Sequence, residues 1–159
     1  MLQIGNNTVQ IKETMTAGKE VTAMEEKQKT IENTGTKKIA ITFDDGPHPQ
    51  YTKQLLDGLK ERGVKATFFV TGEHAELHPD IIERMNEEGH LIGNHTYSHI
   101  QLNSGNREEF KNQLIKTNEI ISEITGNEVL YVRPPYGSWD KKFESDLNMF
   151  PVRWKVDPK

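Results

Sequence analysis

Thr42-Phe43-Asp44-Asp45-Gly46-Pro47 sets two adjacent carboxylates where the chain must turn, because glycine and proline follow at once. Neighbouring carboxylates can divide labour: one ligates a cation while the other takes a proton from a water on it. A second cluster, His95-Thr96-Tyr97-Ser98-His99, spaces two imidazoles four residues apart, and a helical turn there brings both to one face. Two histidines and one carboxylate form a catalytic zinc set with a position left for water, whose pKa such an ion lowers to about 7. This HxxxH lacks the glutamate of the zinc-protease helix, so the base must come from elsewhere, and Asp44 and Asp45 can fill both roles if one binds metal and the other stays free. Residue types alone leave those two interchangeable.

A third segment, Arg133-Pro134-Pro135-Tyr136-Gly137, joins a cation to a stiff turn. Consecutive prolines fix φ and remove donors, leaving the Tyr136 N–H as an isolated, oriented one. Arg133 can pair with a catalytic carboxylate and aim it. Each segment also has a plain structural reading: Asp-Gly-Pro is ordinary turn composition, HxxxH is a short motif, and Arg-Pro-Pro reads as a rigid surface loop. The chain carries its own comparison in His74 and His78, which share the four-residue spacing. His78 precedes Pro79, which disfavours helix there, and the pair reads as solvated surface.

Elements must bring these segments together. After Thr36, short β-rich runs alternate with helical patterns in the order of βα units and a parallel sheet. The expected strands are Lys38–Phe43, Ala66–Val70, His90–Gly93, Val129–Val132 and Val152–Val156. Between them fall helices at Gln50–Arg62, Pro79–Glu88, Arg107–Ile124 and Lys141–Leu147. Leu55, Leu56 and Leu59 mark one face of the first helix, and Phe110, Leu114, Ile120, Ile121 and Ile124 that of the longest. Gly63, Gly89 and Gly126 follow three of these helices as stop signals. Five strands so connected suit a doubly wound sheet or a (β/α) barrel, and each chemical segment follows a strand, at the carboxyl end where α/β proteins collect their sites. Met1 to about Thr36 is polar and reads as a leader or stalk, with a short strand at Ile4–Ile11 and a turn or two of helix at Ala23–Ile31.

Composition narrows the class. At 159 residues the length suits one domain, and the net charge of −4, with no dense Lys/Arg cluster, argues against nucleic acid as a partner. Without cysteine there is no thiolate metal site and no cysteine nucleophile, so a metal must use histidine and carboxylate. No apolar run approaches the roughly 20 residues of a membrane span, and the first ten residues lack a secretion-signal pattern. Oligomeric state is not encoded in any of these features.

TFDDGP, HTYSH and RPPYG, in this order and at these places in the βα sequence, closely resemble the polysaccharide deacetylases with the NodB-type domain, also called carbohydrate esterase family 4. A fourth segment of that family is matched by Trp154-Lys155-Val156-Asp157-Pro158. The resemblance spans about Lys37 to Lys159. It implies an α/β fold, a distorted (β/α) barrel of the polysaccharide deacetylase type, over residues 37–159, with 1–36 as the leader. It implies a hydrolase removing N-acetyl groups from an amino-sugar polysaccharide such as peptidoglycan or chitin, outside the cell or in its envelope. The metal ligands it implies are Asp45, His95 and His99, holding one divalent ion: zinc, with cobalt or nickel suited to the same donors. It makes Asp44 the general base, Arg133 its orienting partner, and the Tyr136 N–H an oxyanion donor. Asp157 belongs, on the same resemblance, to the pair that tunes the catalytic acid, while Pro135, Tyr136 and Trp154 contact substrate, Trp154 at the acetyl pocket. The family's later Leu-x-His segment, whose histidine protonates the leaving amine, is not reached by Lys159. The expectation is therefore a barrel cut short on its C-terminal side, with low activity or, alternatively, only a metal-containing saccharide-binding role.

Overall fold

Runs of Thr, Phe, Val and Ile make short strands here, and the amphipathic runs between them return the chain to the same end of one sheet, as parallel pairing demands. The structure, a computed structural model, describes residues 38–156. The expected strand at Ile4–Ile11, the helix at Ala23–Ile31 and Asp157 lie outside the described residues. The compact unit that carries the sheet begins at Ala40.

Its elements are β1 (Thr42–Asp44), α1 (Tyr51–Glu61), β2 (Thr67–Val70), α2 (Gly72–Leu77), α3 (Pro79–Glu87), β3 (Leu91–Asn94), α4 (Arg107–Thr125), β4 (Tyr131–Val132), a 3₁₀ turn (Pro135–Gly137), α5 (Lys142–Leu147) and β5 (Phe150–Pro151). The strands lie side by side in the order β1-β2-β3-β4-β5, every described pairing parallel. A doubly wound sheet reverses its strand order at a switch point, whereas sequential order is the (β/α) barrel arrangement. The fold is thus α/β of the barrel type.

Two apolar clusters hold the helices down. Leu56 and Leu59 of α1, Ile81, Ile82 and Met85 of α3, and Ile121 of α4 pack with Phe68 and Val70 of β2. Phe110 and Leu114, at the other end of α4, pack with Val132, Phe143 and Met149. One helix therefore serves both clusters, and each fully buried side chain of this size contributes about 1.5–3 kcal/mol relative to exposure. Helix α4 ends where Gly126 enters the left-handed region at φ 71° and donates its N–H to the Ser122 carbonyl at 2.8 Å.

Four elements differ from expectation, one of them β4, which keeps only Tyr131–Val132 of the expected Val129–Val132. Strand β1 is confined to Thr42–Asp44, because β2 offers partners only from Thr67 onward. The fifth strand is Phe150–Pro151 and not Val152–Val156. Phe150 N–H and Val152 N–H donate to the Leu130 and Val132 carbonyls, so the proline, which has no N–H, sits where none is needed on that side. Helix α2 was not foreseen. Its Gly72 and Glu73 N–H groups donate to the Thr96 and Tyr97 carbonyls, both at 3.0 Å, which satisfies a helix start too short and polar to announce itself. It stops at His78, directly before Pro79.

Candidate active site

The register sets the strand ends level. Asp44 pairs with Phe69, Val70 with Asn94, and Asn94 with Val132, so Asp45, His95 and Arg133 leave their strands at one edge of the sheet. The His95–His99 segment is not a helical turn. It is a tight loop in which Thr96 and His99 adopt left-handed backbone, φ 64° and 57°, and these reversals turn both imidazoles toward Asp45, itself at φ 67°.

His95 Nε2 and His99 Nε2 each lie 3.3 Å from Asp45 Oδ1. Ligand atoms of the three residues all fall within 4.8 Å of one another. Whether a cation suits them turns on the proton count. The His95 ring is buried and its Nδ1 bonds the Arg133 carbonyl, an acceptor only, so Nδ1 carries the hydrogen. Burial holds the His95 pKa below the usual imidazole range, against the opposing pull of that carbonyl and of Asp44 and Asp45. A neutral ring with hydrogen on Nδ1 presents a bare lone pair at Nε2, aimed at a carboxylate oxygen that also has only lone pairs. Two such atoms repel unless a cation joins them, so the donor set fits a divalent ion. The carbonyl behind His95 is the outer partner that ligating histidines regularly have.

Asp44 stands beside this cluster and is held separately. Arg133, 2% exposed, donates through Nη1 to Asp44 Oδ1 and to Thr42 Oγ1, both at 2.7 Å, and through Nε to the Val152 carbonyl at 3.2 Å. Its guanidinium also lies 4.2 Å from the Phe69 ring centre. This arginine is buried, with Nη1 and Nε both hydrogen-bonded, contrary to the exposed-loop reading.

Pro135 is buried and Tyr136 is exposed, with φ 58° and its ring 5.2 Å from that of His99. Tyr136, Gly137, Arg153 and Trp154 line a cleft of about 220 Å³. Trp154 lies 5.9 Å, ring centre to guanidinium, from Arg133.

A sequence profile described as polysaccharide deacetylase matches residues 31–154. The chain belongs to that family. It is 48% identical over 122 residues to the peptidoglycan-N-acetylglucosamine deacetylase of Bacillus cereus, covering 75% of this chain and 44% of that protein. It is 42% identical over 125 residues to a chitooligosaccharide deacetylase of Rhizobium leguminosarum bv. trifolii, covering 76% of this chain and 58% of the relative. Among solved structures, peptidoglycan deacetylase PdaC from Bacillus subtilis superposes with a TM-score of 0.72 at 42% identity, over 76% of this chain and 59% of the other. The chain thus spans less than two thirds of the length of each of these relatives.

Within this polysaccharide deacetylase fold, several residues outside the motifs shape the loops that carry Asp45 and the two histidines. Asn94, fully buried, accepts the Thr96 N–H at 2.7 Å and donates to the Leu114 carbonyl and Asn118. Gln113 Oε1 accepts the Tyr97 and Ser98 N–H groups at 3.1 and 2.9 Å. His74 lies on a helix and is not mere solvated surface: its Nδ1 bonds the Asp45 carbonyl at 2.8 Å. The only signal for Asn94 was an amide at a strand end next to a motif. Gln113 had none, because it acts through a contact distant in sequence, and the spacing of His74 from His78 gave no hint of its bond to Asp45.

Proposed function

We propose that this protein is a metal-dependent hydrolase that removes N-acetyl groups from an amino-sugar polysaccharide, releasing acetate and a free amine for each water consumed. The observation that carries the reading is the convergence of Asp45, His95 and His99 donor atoms within 4.8 Å beside a separately anchored Asp44. Relatives named for peptidoglycan and for chitooligosaccharide deacetylation support the substrate class. An envelope or extracellular location follows from such a substrate.

On this reading Asp45, His95 and His99 hold the ion, with zinc the best match to two imidazoles and one carboxylate, and cobalt or nickel able to replace it. A divalent ion there supplies Lewis-acid polarisation of the acyl oxygen and of water. Asp44, aimed by Arg133, takes the proton from the attacking water as the new C–O bond forms; the amine nitrogen gains a proton as the C–N bond breaks, a role the resemblance gives to the histidine of the later Leu-x-His segment. Tyr136 contributes its N–H to the oxygen on which charge develops, a donor typically worth about 10²–10³-fold in kcat. Pro135, Tyr136 and Trp154 contact the substrate, Trp154 at the acetyl pocket, and Asp157 belongs to the pair that tunes the catalytic acid of the later Leu-x-His segment.

Acetate release from acetylated chito-oligosaccharides and from peptidoglycan fragments tests this, with bound metal measured in parallel. Asp44→Asn should retain metal and lose turnover by about 10²–10⁴-fold, the usual worth of a general base. Asp45→Ala should lose both. Full activity in Asp44→Asn would defeat the assignment.

A further inference from the structure

Asp45 needs support that its own surroundings do not provide. Its side chain is 68% exposed, so packing does not choose its direction, and its backbone is left-handed at φ 67°, a region that aspartate enters more readily than most residues with a Cβ but still at a cost. The carboxylate is aimed at His95 and His99 only while that backbone conformation holds. The Asp45 carbonyl accepts a hydrogen bond from His74 Nδ1 at 2.8 Å, and no other side chain among the described residues bonds the Asp45 backbone.

His74 is well placed to act as an anchor. It projects from α2, whose Gly72 and Glu73 N–H groups bind the Thr96 and Tyr97 carbonyls of the histidine loop, while the Thr71 N–H just ahead binds the Gly46 carbonyl at 3.1 Å. Helix α2 therefore grips both ligand-bearing loops. His74 extends that grip to the aspartate ligand itself. A carbonyl only accepts, so Nδ1 must carry hydrogen, a condition met by one neutral tautomer and by the protonated ring alike. One hydrogen bond is of the same order as the strain of a left-handed non-glycine residue, so its loss can release Asp45.

We infer that His74 is a positioning residue for the metal centre, holding Asp45 in the backbone conformation that presents its carboxylate to the ion. This rests on the reading of Asp45, His95 and His99 as metal ligands. The residue touches neither ion nor substrate, and it acts through the Asp45 carbonyl.

The test is zinc affinity of the whole chain, measured by calorimetric titration in competition with a chelator, for the parent, Asp45→Ala, His74→Ala and His74→Asn. Asparagine carries an N–H donor at the same δ position as the histidine nitrogen. His74→Ala should bind zinc about 10-fold more weakly, the lower end of what outer partners of a metal ligand are worth, and His74→Asn should recover most of that loss. Unfolding midpoints of the metal-free proteins should coincide, since His74 is exposed and leaves no cavity. Parent affinity in His74→Ala, or an Asn variant as weak as the Ala variant, overturns the inference. If the parent binds zinc and Asp45→Ala does not, that failure belongs to His74 alone. If the parent binds no zinc, the metal reading fails and the inference falls with it.

Discussion

Arg133 and Asp44 meet at 2.7 Å across 89 positions of sequence, and the same guanidinium nitrogen reaches Thr42 at 2.7 Å. The pair is unequal: Arg133 is 3% exposed at its side chain and Asp44 31%. Removing one member of a fully buried pair costs about 3–5 kcal/mol, and solvent access to Asp44 screens part of that here. Arg133→Met should therefore destabilise the fold by about 2 kcal/mol in urea unfolding. Arg133→Lys should recover only part of it, because an ammonium cannot also serve the Val152 carbonyl and stack on Phe69. Equal stability of all three proteins would show that the contact is incidental.

Gly72→Ala sets two effects against each other. Helix propensity favours alanine by up to about 1 kcal/mol. A Cβ at this position would lie 2.5 Å from Thr117 Oγ1, 2.6 Å from Tyr97 Cδ2 and 3.2 Å from the Tyr97 Cα. The last is backbone and cannot swing aside, so overpacking should prevail by about 1–3 kcal/mol. Because α2 binds the histidine loop through Gly72 and Glu73, zinc titration should show weaker binding as well. A variant at least as stable as the parent would contradict this.

His90 provides a pH dependence apart from the metal cluster. It is buried, and its Nδ1 accepts the Ala66 N–H at 3.2 Å, which leaves no room for a second proton there. Burial lowers its pKa from the ordinary 6.5, Lys65 adds to the effect, and Glu88 opposes it. The unfolded chain then holds the proton more tightly than the folded one, so stability rises with pH between the lowered folded value and the unfolded value, and is lost as pH falls through that window. His90→Asn, which keeps an acceptor for Ala66, should flatten the dependence of the urea midpoint between about pH 5 and pH 7.5. Parallel curves for parent and variant would exclude His90 as the source.

Metal binding should also appear as stability. A ligand at 100 times its Kd stabilises the folded state by about 2.7 kcal/mol. Zinc should raise the thermal midpoint of the parent, chelator should reverse the rise, and Asp45→Ala and His95→Ala should not respond. A shift that persists in those variants would place the ion elsewhere.

Much of the architecture was legible before any coordinates. Helices α1 and α4 announced themselves through apolar periodicity, all three of α1, α3 and α4 through closing glycines, and the buried side chains of α4 at Phe110, Leu114 and Ile121 lie on the expected face. Helix α2 escaped notice because its first N–H groups are satisfied by a loop more than twenty residues away, and the fifth strand was displaced because pairing with β4 selects Phe150 and Pro151 over the more strand-like residues after them.

By itself the sequence determined which donors and acceptors are present and that each motif follows a strand, since residue type and periodicity are local properties. Tertiary structure alone decided that Asp45, His95 and His99 converge, that the histidine loop reverses at Thr96 and His99 and does not coil, and that Arg133 is buried against Asp44. The physical reason is range. Asn94, Gln113, His74 and Arg133 set these geometries through hydrogen bonds, and all but one reach across 15 to 89 positions, a separation that no local pattern encodes.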